Sequence, residues 1–155
     1  CLVGSEMCIR DSIMTLEELQ AEADKDLVID DTELDTESLK TPILHNKYLQ
    51  YYNKFNLLLK KSQWEERTLQ REKWEYYTGK SDPSVYKEKP FDLKVLKNDV
   101  HIYINADEDI QKIQAKIIYQ EAIVNYLEQI LRMINNRSFT IKNAIEWRRF
   151  TSGAV

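Results

Sequence analysis

The sequence predicts a mainly all-α fold: a long central helix, a C-terminal helical pair that forms an oligomerisation core, and one possible short strand near 100–104. Only three glycines and three prolines occur among the 155 residues, which argues against a loop-rich or all-β architecture. Neither type interrupts the stretch between Pro42 and Gly79, and apolar residues recur at spacings of three and four over 106–134. These observations together favour long helices.

The opening residues 1–13 are expected to be a non-native extension, because they resemble translated adaptor sequence and lack the basic leader and apolar core of a signal peptide. Both cysteines, Cys1 and Cys8, lie in this extension. A native chain that starts at Met14 would have no cysteine, which is consistent with a reducing cytoplasm and excludes disulfides and thiolate metal sites. Residues 14–155 are then expected to form a single domain.

The first part of that domain, residues 14–40, is predicted to be an acidic arm with ten Asp or Glu residues and two Lys. Thr15 and Glu18 have the spacing of a capping box, which predicts a short helix over 15–26. A helical turn is expected over 35–40. Two interpretations of the arm remain open: a solvated segment, or a contact for a basic partner.

The second part, residues 41–79, is predicted to be one long helix in which seven basic side chains outnumber four acidic ones. Thr41 can cap its start, Pro42 suits the first helical position, and Gly79 can adopt the left-handed conformation that ends a helix. One face of the helical wheel is an apolar packing seam. Its members are Leu44, Tyr48, Tyr51, Phe55, Leu58, Ser62, Leu69 and Tyr76.

On the opposite face, basic and aromatic residues alternate at spacings of four, three, four and three. They are Lys60, Trp64, Arg67, Arg71 and Trp74. Cations interleaved with large aromatic rings can hold phosphates while bases stack on the rings, as in proteins that grip single strands without sequence preference. The alternative is that both Trp rings are half-buried and that the cations simply form a solvated face.

The third part, residues 80–105, is predicted to be an exposed connector, because it contains Pro83, Pro90 and five lysines in its first twenty residues. At its end, residues 100–104 alternate in polarity and could form a short strand. Such a strand would find a partner only if copies of the chain met in an oligomer.

The last part, residues 106–155, is predicted to hold the oligomerising helices. Asn105 and Glu108 have the spacing of a second capping box, which opens a helix over 106–134. Its three-four repeat, interrupted once by Gln120, is typical of helix association. The predicted oligomerisation residues are Ile110, Ile113, Ile117, Val124, Leu127, Leu131 and Ile134.

A turn is predicted at residues 135–137, followed by a final helix over 138–150. Its outer side carries three basic residues, Lys142, Arg148 and Arg149, which are a second candidate for nucleic-acid binding. Local charge matters here, because the net charge of −4 hides two segments that are each basic.

Several classes of chemistry are not expected. Glycines at positions 4, 79 and 153 cannot form a glycine-rich phosphate loop, so the chain is not predicted to hydrolyse nucleotides. His45 and His101 are isolated from any catalytic motif. We expect no enzyme activity, no cofactor, no metal and no membrane partner.

The run Arg71–Gly79, REKWEYYTG, resembles the basic, doubly tyrosine-tipped segment of the UvsY family, the recombination mediators of T-even bacteriophages. The family pattern is Lys/Arg, any residue, Lys/Arg, apolar, acidic, Tyr-Tyr, small, Gly. The order of the other parts is also similar, from the acidic start MTLEELQ to the Ile-Lys of the last helix, and the resemblance spans about residues 14–153.

This resemblance implies a single-stranded-DNA-binding recombination mediator that helps load a RecA-like phage recombinase onto DNA coated with the phage single-strand-binding protein. It also implies a ring-like homo-oligomer of six or seven subunits in the cytoplasm of the infected bacterial host. Arg71 and Lys73 match the paired basic residues that the family uses for DNA binding, although helical pitch separates their directions by roughly 160°. The alternative function is a non-enzymatic coiled-coil scaffold or adaptor that does not bind DNA.

Overall fold

The computed structural model describes residues 14–153, and helices account for most of them, which confirms the all-α prediction. The expected extension at 1–13 lies outside the described residues. Within them, five helices follow one another along the chain. They are α1 (Leu16–Asp26), α2 (Leu34–Tyr77), α3 (Pro83–Glu88), α4 (Val100–Asn105) and α5 (Glu108–Thr151).

Two local predictions of helix boundaries are confirmed. The Thr15 side chain accepts a hydrogen bond from the Glu18 N–H at 3.2 Å, and Glu18 accepts from the Thr15 N–H at 2.8 Å, so the capping box forms at the start of α1. Gly79 has a φ of 76° just beyond the end of α2. The Lys80 N–H donates to the Glu75 carbonyl at 2.8 Å, as in a Schellman C-cap.

The predicted start of the long helix is wrong, because α2 begins at Leu34 and Pro42 lies inside it. A proline in a helix interior removes one backbone hydrogen bond, which would have reached the Ser38 carbonyl. Both Pro42 and Ser38 are exposed, so solvent can satisfy that carbonyl. Burial of Leu34 stabilises the turns before the proline, and the buried Glu37 pairs there with Lys40 and Arg137. Local propensity alone would have ended the helix at this point.

The possible strand at 100–104 is also wrong, since Val100–Asn105 is the short helix α4. Val100 is buried, and the Ala106 N–H donates to the Ile102 carbonyl at 3.1 Å. A helical turn pairs its backbone groups within the segment, whereas a lone strand would leave them without a partner.

The predicted C-terminal helical pair is one continuous helix, because α5 passes through residues 135–137 without a turn. Arg137 is buried there and pairs with Glu37, and this tertiary contact stabilises helix where two asparagines favour a break. The start of α5 differs as well. Asp107, and not Asn105, accepts the N–H groups of Asp109 at 2.9 Å and Ile110 at 3.4 Å.

The described residues divide into two compact units. Unit one contains residues 14–51 and 126–153, and unit two contains residues 52–125. The apolar core of unit one comprises Leu19, Ala23, Leu34, Tyr48, Leu127, Ile130, Ile134 and Ile141. The apolar core of unit two comprises Phe55, Leu59, Val100, Ile110, Ile117, Ile123 and Val124. Every member of the predicted α2 packing seam is buried or half-buried, so the helical-wheel prediction holds.

None of the described helices combines the length and the apolarity that crossing a bilayer requires.

Candidate nucleic-acid interface

The basic and aromatic residues that alternate on α2 are all exposed, and we call them the α2 stripe. They are Lys60, Trp64, Arg67, Arg71 and Trp74. The Trp64 side chain is 65% exposed and that of Trp74 is 42% exposed. The alternative of two half-buried rings therefore does not hold for Trp64, whose ring is open to solvent.

The cations of the α2 stripe are only loosely engaged by neighbouring side chains. Lys60 donates to the Gln63 amide oxygen at 3.5 Å, and the Arg71 Nε lies 3.8 Å from a Glu75 oxygen. Arg67 has no ion-pair partner among residues 14–153. Exposed pairs of this kind contribute little to stability, so a phosphate group can replace them at small cost.

Two acidic residues of the same stretch of α2 make contacts with α5 within unit two. A Glu65 oxygen lies 3.7 Å from the Lys116 Nζ, and a Glu66 oxygen accepts from the Gln114 amide at 3.1 Å. Both partners are on α5. These contacts draw two carboxylates toward α5 and leave the stripe with a positive excess.

The two tryptophans of the stripe have different surroundings. The Lys80 Nζ lies 4.3 Å from the centroid of the Trp74 ring, so a cation–π contact occupies one face of that ring. No such contact involves Trp64 within the described part of the chain. Trp64 is therefore better placed than Trp74 to stack on a base.

Lys73, which matches the second basic residue of the family motif, lies outside the stripe. Its Nζ is 3.0 Å from an Asp107 oxygen and 2.7 Å from an Asp109 oxygen, and its side chain is only 15% exposed. Burial opposes the charged form, but the hydrogen bonds to Asp109 and Asp107 outweigh it and raise the pKa of Lys73. The structure thus separates Arg71 from Lys73, as helical pitch predicts.

Next to Lys73, five rings from α2, α3, α4 and the intervening chain form an aromatic cluster. They are Tyr76, Tyr77, Tyr86, Phe91 and Tyr103. Tyr76 and Tyr86 stack with their centroids 5.4 Å apart, and Phe91 meets Tyr77 edge-on at 5.1 Å. The Tyr86 hydroxyl also donates to the Tyr76 carbonyl at 2.7 Å.

Sequence reasoning missed this cluster because it interpreted residues 80–105 as an exposed lysine-rich connector. The available signal was the recurrence of aromatic residues at positions 86, 91 and 103 in a segment otherwise rich in charge. Aromatic residues in a connector favour packing, since each ring removes a large apolar area from water.

The second basic candidate, which we call the C-terminal basic group, comprises Lys142, Arg148 and Arg149 on α5. All three are exposed. The Lys142 Nζ lies 3.8 Å from a Glu146 oxygen, and an Arg148 nitrogen lies 3.5 Å from an Asp31 oxygen. These are pairs within unit one.

The predicted oligomerisation residues are largely internal to the single chain. Ile110, Ile117, Val124, Leu127 and Ile134 are buried, and Ile113 and Leu131 are half-buried. Other large apolar side chains of α5 are exposed instead. They are Ile118, Tyr119, Met133, Phe139, Ile145, Trp147 and Phe150. The three-four repeat at 106–134 thus supplies mainly the intramolecular core.

No group of three or more His, Cys, Asp or Glu side chains within residues 14–153 is arranged to hold a metal ion.

The sequence matches a known protein family. The family model for "Recombination, repair and ssDNA binding protein UvsY" matches residues 22–154. The recombination protein uvsY of Enterobacteria phage T4 is 25% identical over 140 residues, which cover 90% of this chain and 99% of that protein.

The fold is also found in solved structures. A crystal structure of the bacteriophage T4 recombination mediator protein UvsY, in lattice type II, superposes with a TM-score of 0.80 at 25% identity. The superposition covers 90% of this chain and 99% of the chain in that crystal structure. The lattice type IV structure of the same protein has a TM-score of 0.77 at 23% identity, covering 89% and 99%.

Proposed function

The chain belongs to the UvsY family of recombination, repair and single-stranded-DNA-binding proteins, and we propose that it binds single-stranded DNA through the α2 stripe. The observation that carries the proposal is the exposure of all five stripe residues, with cations that make only weak contacts to their own chain. Lys60, Arg67 and Arg71 contact phosphates, and Trp64 stacks on a base. Such contacts carry no sequence information.

The test is the salt dependence of binding to labelled single strands of mixed sequence. Each phosphate neutralised on a single strand contributes about −0.7 to the slope of log affinity against log salt. Replacing Arg67 and Arg71 by Ala should therefore flatten the slope by about 1.4 per bound subunit. The matched control is Lys97→Ala with Lys112→Ala, which removes the same charge from exposed positions outside the stripe.

An equal loss of slope in both double variants would mean that only net charge matters. A slope near zero for the unaltered chain would contradict DNA binding and leave the scaffold function, which the exposed apolar side chains of α5 favour.

We further propose a mediator role, in which the chain helps load a RecA-like recombinase onto strands covered by a single-strand-binding protein in the cytoplasm of the infected host. Family membership and a stripe without sequence readout support this role. The protein shifts a competition between two larger partners and uses no nucleotide. A shorter lag before recombinase ATP hydrolysis on coated strands is the expected result; an unchanged lag with intact DNA binding would contradict it.

Assembly into a ring-like homo-oligomer of six or seven subunits is part of the same proposal, because tethering weak sites raises their joint affinity. Leu127 is fully buried, so a charge there would unfold the chain and could not test assembly. Phe139→Asp with Phe150→Asp alters side chains that are 67% and 77% exposed. Smaller species in sedimentation are expected, whereas Leu57→Asp on α2 should leave the size unchanged.

A further inference from the structure

Lys73 lies among acidic groups at the start of α5, within unit two. Its Nζ contacts Asp107 at 3.0 Å and Asp109 at 2.7 Å. The side chains of Lys73 and Asp107 are 15% and 9% exposed, whereas that of Asp109 is 43% exposed. Two carboxylates thus face one cation, and one of those carboxylates is largely removed from solvent.

Asp107 connects three parts of unit two. Its carboxylate caps α5 by accepting the Asp109 N–H at 2.9 Å, and it accepts the Tyr77 hydroxyl at 2.8 Å. The Tyr77 ring in turn packs against Phe91 at 5.1 Å and Tyr103 at 5.7 Å. Lys73 therefore joins the end of α2 to the start of α5 and to the aromatic cluster.

The Lys73 contacts add to the C-cap and the aromatic cluster in holding the end of α2. Its last turn contains no basic residue to compensate the helix dipole, and helix ends fray unless they are held. Arg71 and Trp74 lie just before that end. Fraying there would displace the last two members of the α2 stripe from the line of the others.

Contact between Lys73 and a phosphate would be costly. Lys73 would have to leave both carboxylates, and Asp107 would keep a poorly solvated charge without its cation. The two carboxylates would also repel the incoming phosphate. Arg71, whose side chain is 70% exposed, gives up only a 3.8 Å surface contact.

We propose that Lys73 is a positioning residue: it holds the end of α2 against the start of α5, so that Arg71 and Trp74 stay in line, and it makes no phosphate contact. This inference rests on the proposed binding of single-stranded DNA by the α2 stripe. It assigns the two basic residues of the family motif to different tasks, with Arg71 as the phosphate contact and Lys73 as the brace.

The test compares Arg71→Met with Lys73→Met, because methionine keeps much of the aliphatic stem and removes the charge. Arg71→Met should flatten the salt slope by about 0.7 per bound subunit with Tm unchanged within about 1 °C. Lys73→Met should lower Tm by at least about 4 °C, and it should flatten the salt slope, measured below the transition, by less than Arg71→Met does, because Arg71 is still present but is held less firmly.

A second set of variants keeps the test valid if Lys73→Met fails to fold. Asp109→Asn should lower Tm without changing the salt slope, and Lys73→Arg should keep both Tm and slope. In the double variant Lys73→Met with Asp109→Asn, the loss of Tm should be smaller than the sum of the losses in the two single variants, because both changes break the same contact.

Two outcomes would overturn the inference: a slope loss in Lys73→Met equal to that of Arg71→Met, or full additivity of the Lys73 and Asp109 changes. Failure of the proposed function has a different signature, since the unaltered chain would then show no salt-dependent binding at all.

Discussion

The α2 stripe and the C-terminal basic group carry similar side chains in different electrostatic surroundings. Each contains three cations on an exposed helix face near large aromatic residues. In the stripe, nearby Glu65 and Glu66 contact α5, Arg71 has only a 3.8 Å pair with Glu75 of its own helix, and neither Lys60 nor Arg67 has an ion-pair partner among the described residues. In the C-terminal basic group, Lys142 faces Glu146, and Arg148 faces Asp31 from the acidic arm.

The difference shows that the net charge of a segment is a poor guide to its phosphate affinity. Residues 41–79, which contain the stripe, and residues 135–155, which contain the C-terminal basic group, each have an excess of three positive charges in the sequence. Contacts from another segment decide how much of that charge is available, because a nearby carboxylate competes with a phosphate for the same cation. We expect the stripe to dominate DNA binding and the C-terminal group to contribute less.

The largest expected effect comes from the buried contact that holds the acidic arm in unit one. Arg137 contacts a Glu37 oxygen and donates to the Leu27 carbonyl at 3.2 Å. Arg137→Met leaves the buried Glu37 carboxylate with the Lys40 Nζ, at 2.7 Å, as its remaining cation, and it should lower Tm by at least about 5 °C in a calorimetric scan. Glu37→Met in the same chain should recover much of the loss; no recovery would mean that packing, and not charge, is responsible.

A direct comparison of the two basic regions should give the next largest effect. Ala at Lys60, Arg67 and Arg71 should flatten the salt slope by about 2 per bound subunit and lower affinity for single strands by roughly tenfold or more. Ala at all three positions of the C-terminal basic group removes the same charge and should flatten the slope by less than about 1. Equal slopes in a fluorescence titration would contradict the ranking.

The loss of stability at acid pH should be a smaller effect, and it tests the contact of Lys73 with Asp107 and Asp109. Burial opposes ionisation of Asp107, but hydrogen bonds from Tyr77 and Lys73 outweigh it and lower the pKa of that carboxyl; the hydrogen bond from Lys73 does the same for Asp109. A carboxylate with a lowered pKa stabilises the fold fully above about pH 4, and its contribution is lost as pH falls through the folded-state pKa. Asp109→Asn should therefore lose less stability between about pH 4 and 2 than the unaltered chain, as measured by urea unfolding.

The smallest effect on affinity for single strands should come from removing the acidic residue that pairs with the C-terminal basic group. Asp31→Asn removes an exposed pair with Arg148, so affinity for single strands should rise by no more than about threefold at low salt. Glu17→Gln, at an exposed position of α1, is the control for net charge. A larger rise with Asp31→Asn alone would place the C-terminal group closer to the DNA than we propose.

The sequence by itself determined the features that depend on near neighbours. The capping box joins Thr15 and Glu18, which are three residues apart, and Gly79 adopts the left-handed conformation that few other residues tolerate. The helical period of α2 places the packing seam and the α2 stripe on different faces. The exposure of Trp64 and Arg67 follows from the same periodicity, so most of the candidate site was predictable from the sequence.

Tertiary structure decided what depends on residues far apart in the chain. Glu37 and Arg137 are separated by 100 positions and contact each other. This contact stabilises α2 next to the proline, and α5 next to the two asparagines, at which the sequence predicted helix boundaries. Lys73 and Asp109, separated by 36 positions, place a cation of the family motif inside unit two. Such contacts lie outside any local pattern because their free energy comes from desolvation and pairing that exist only once the helices have packed.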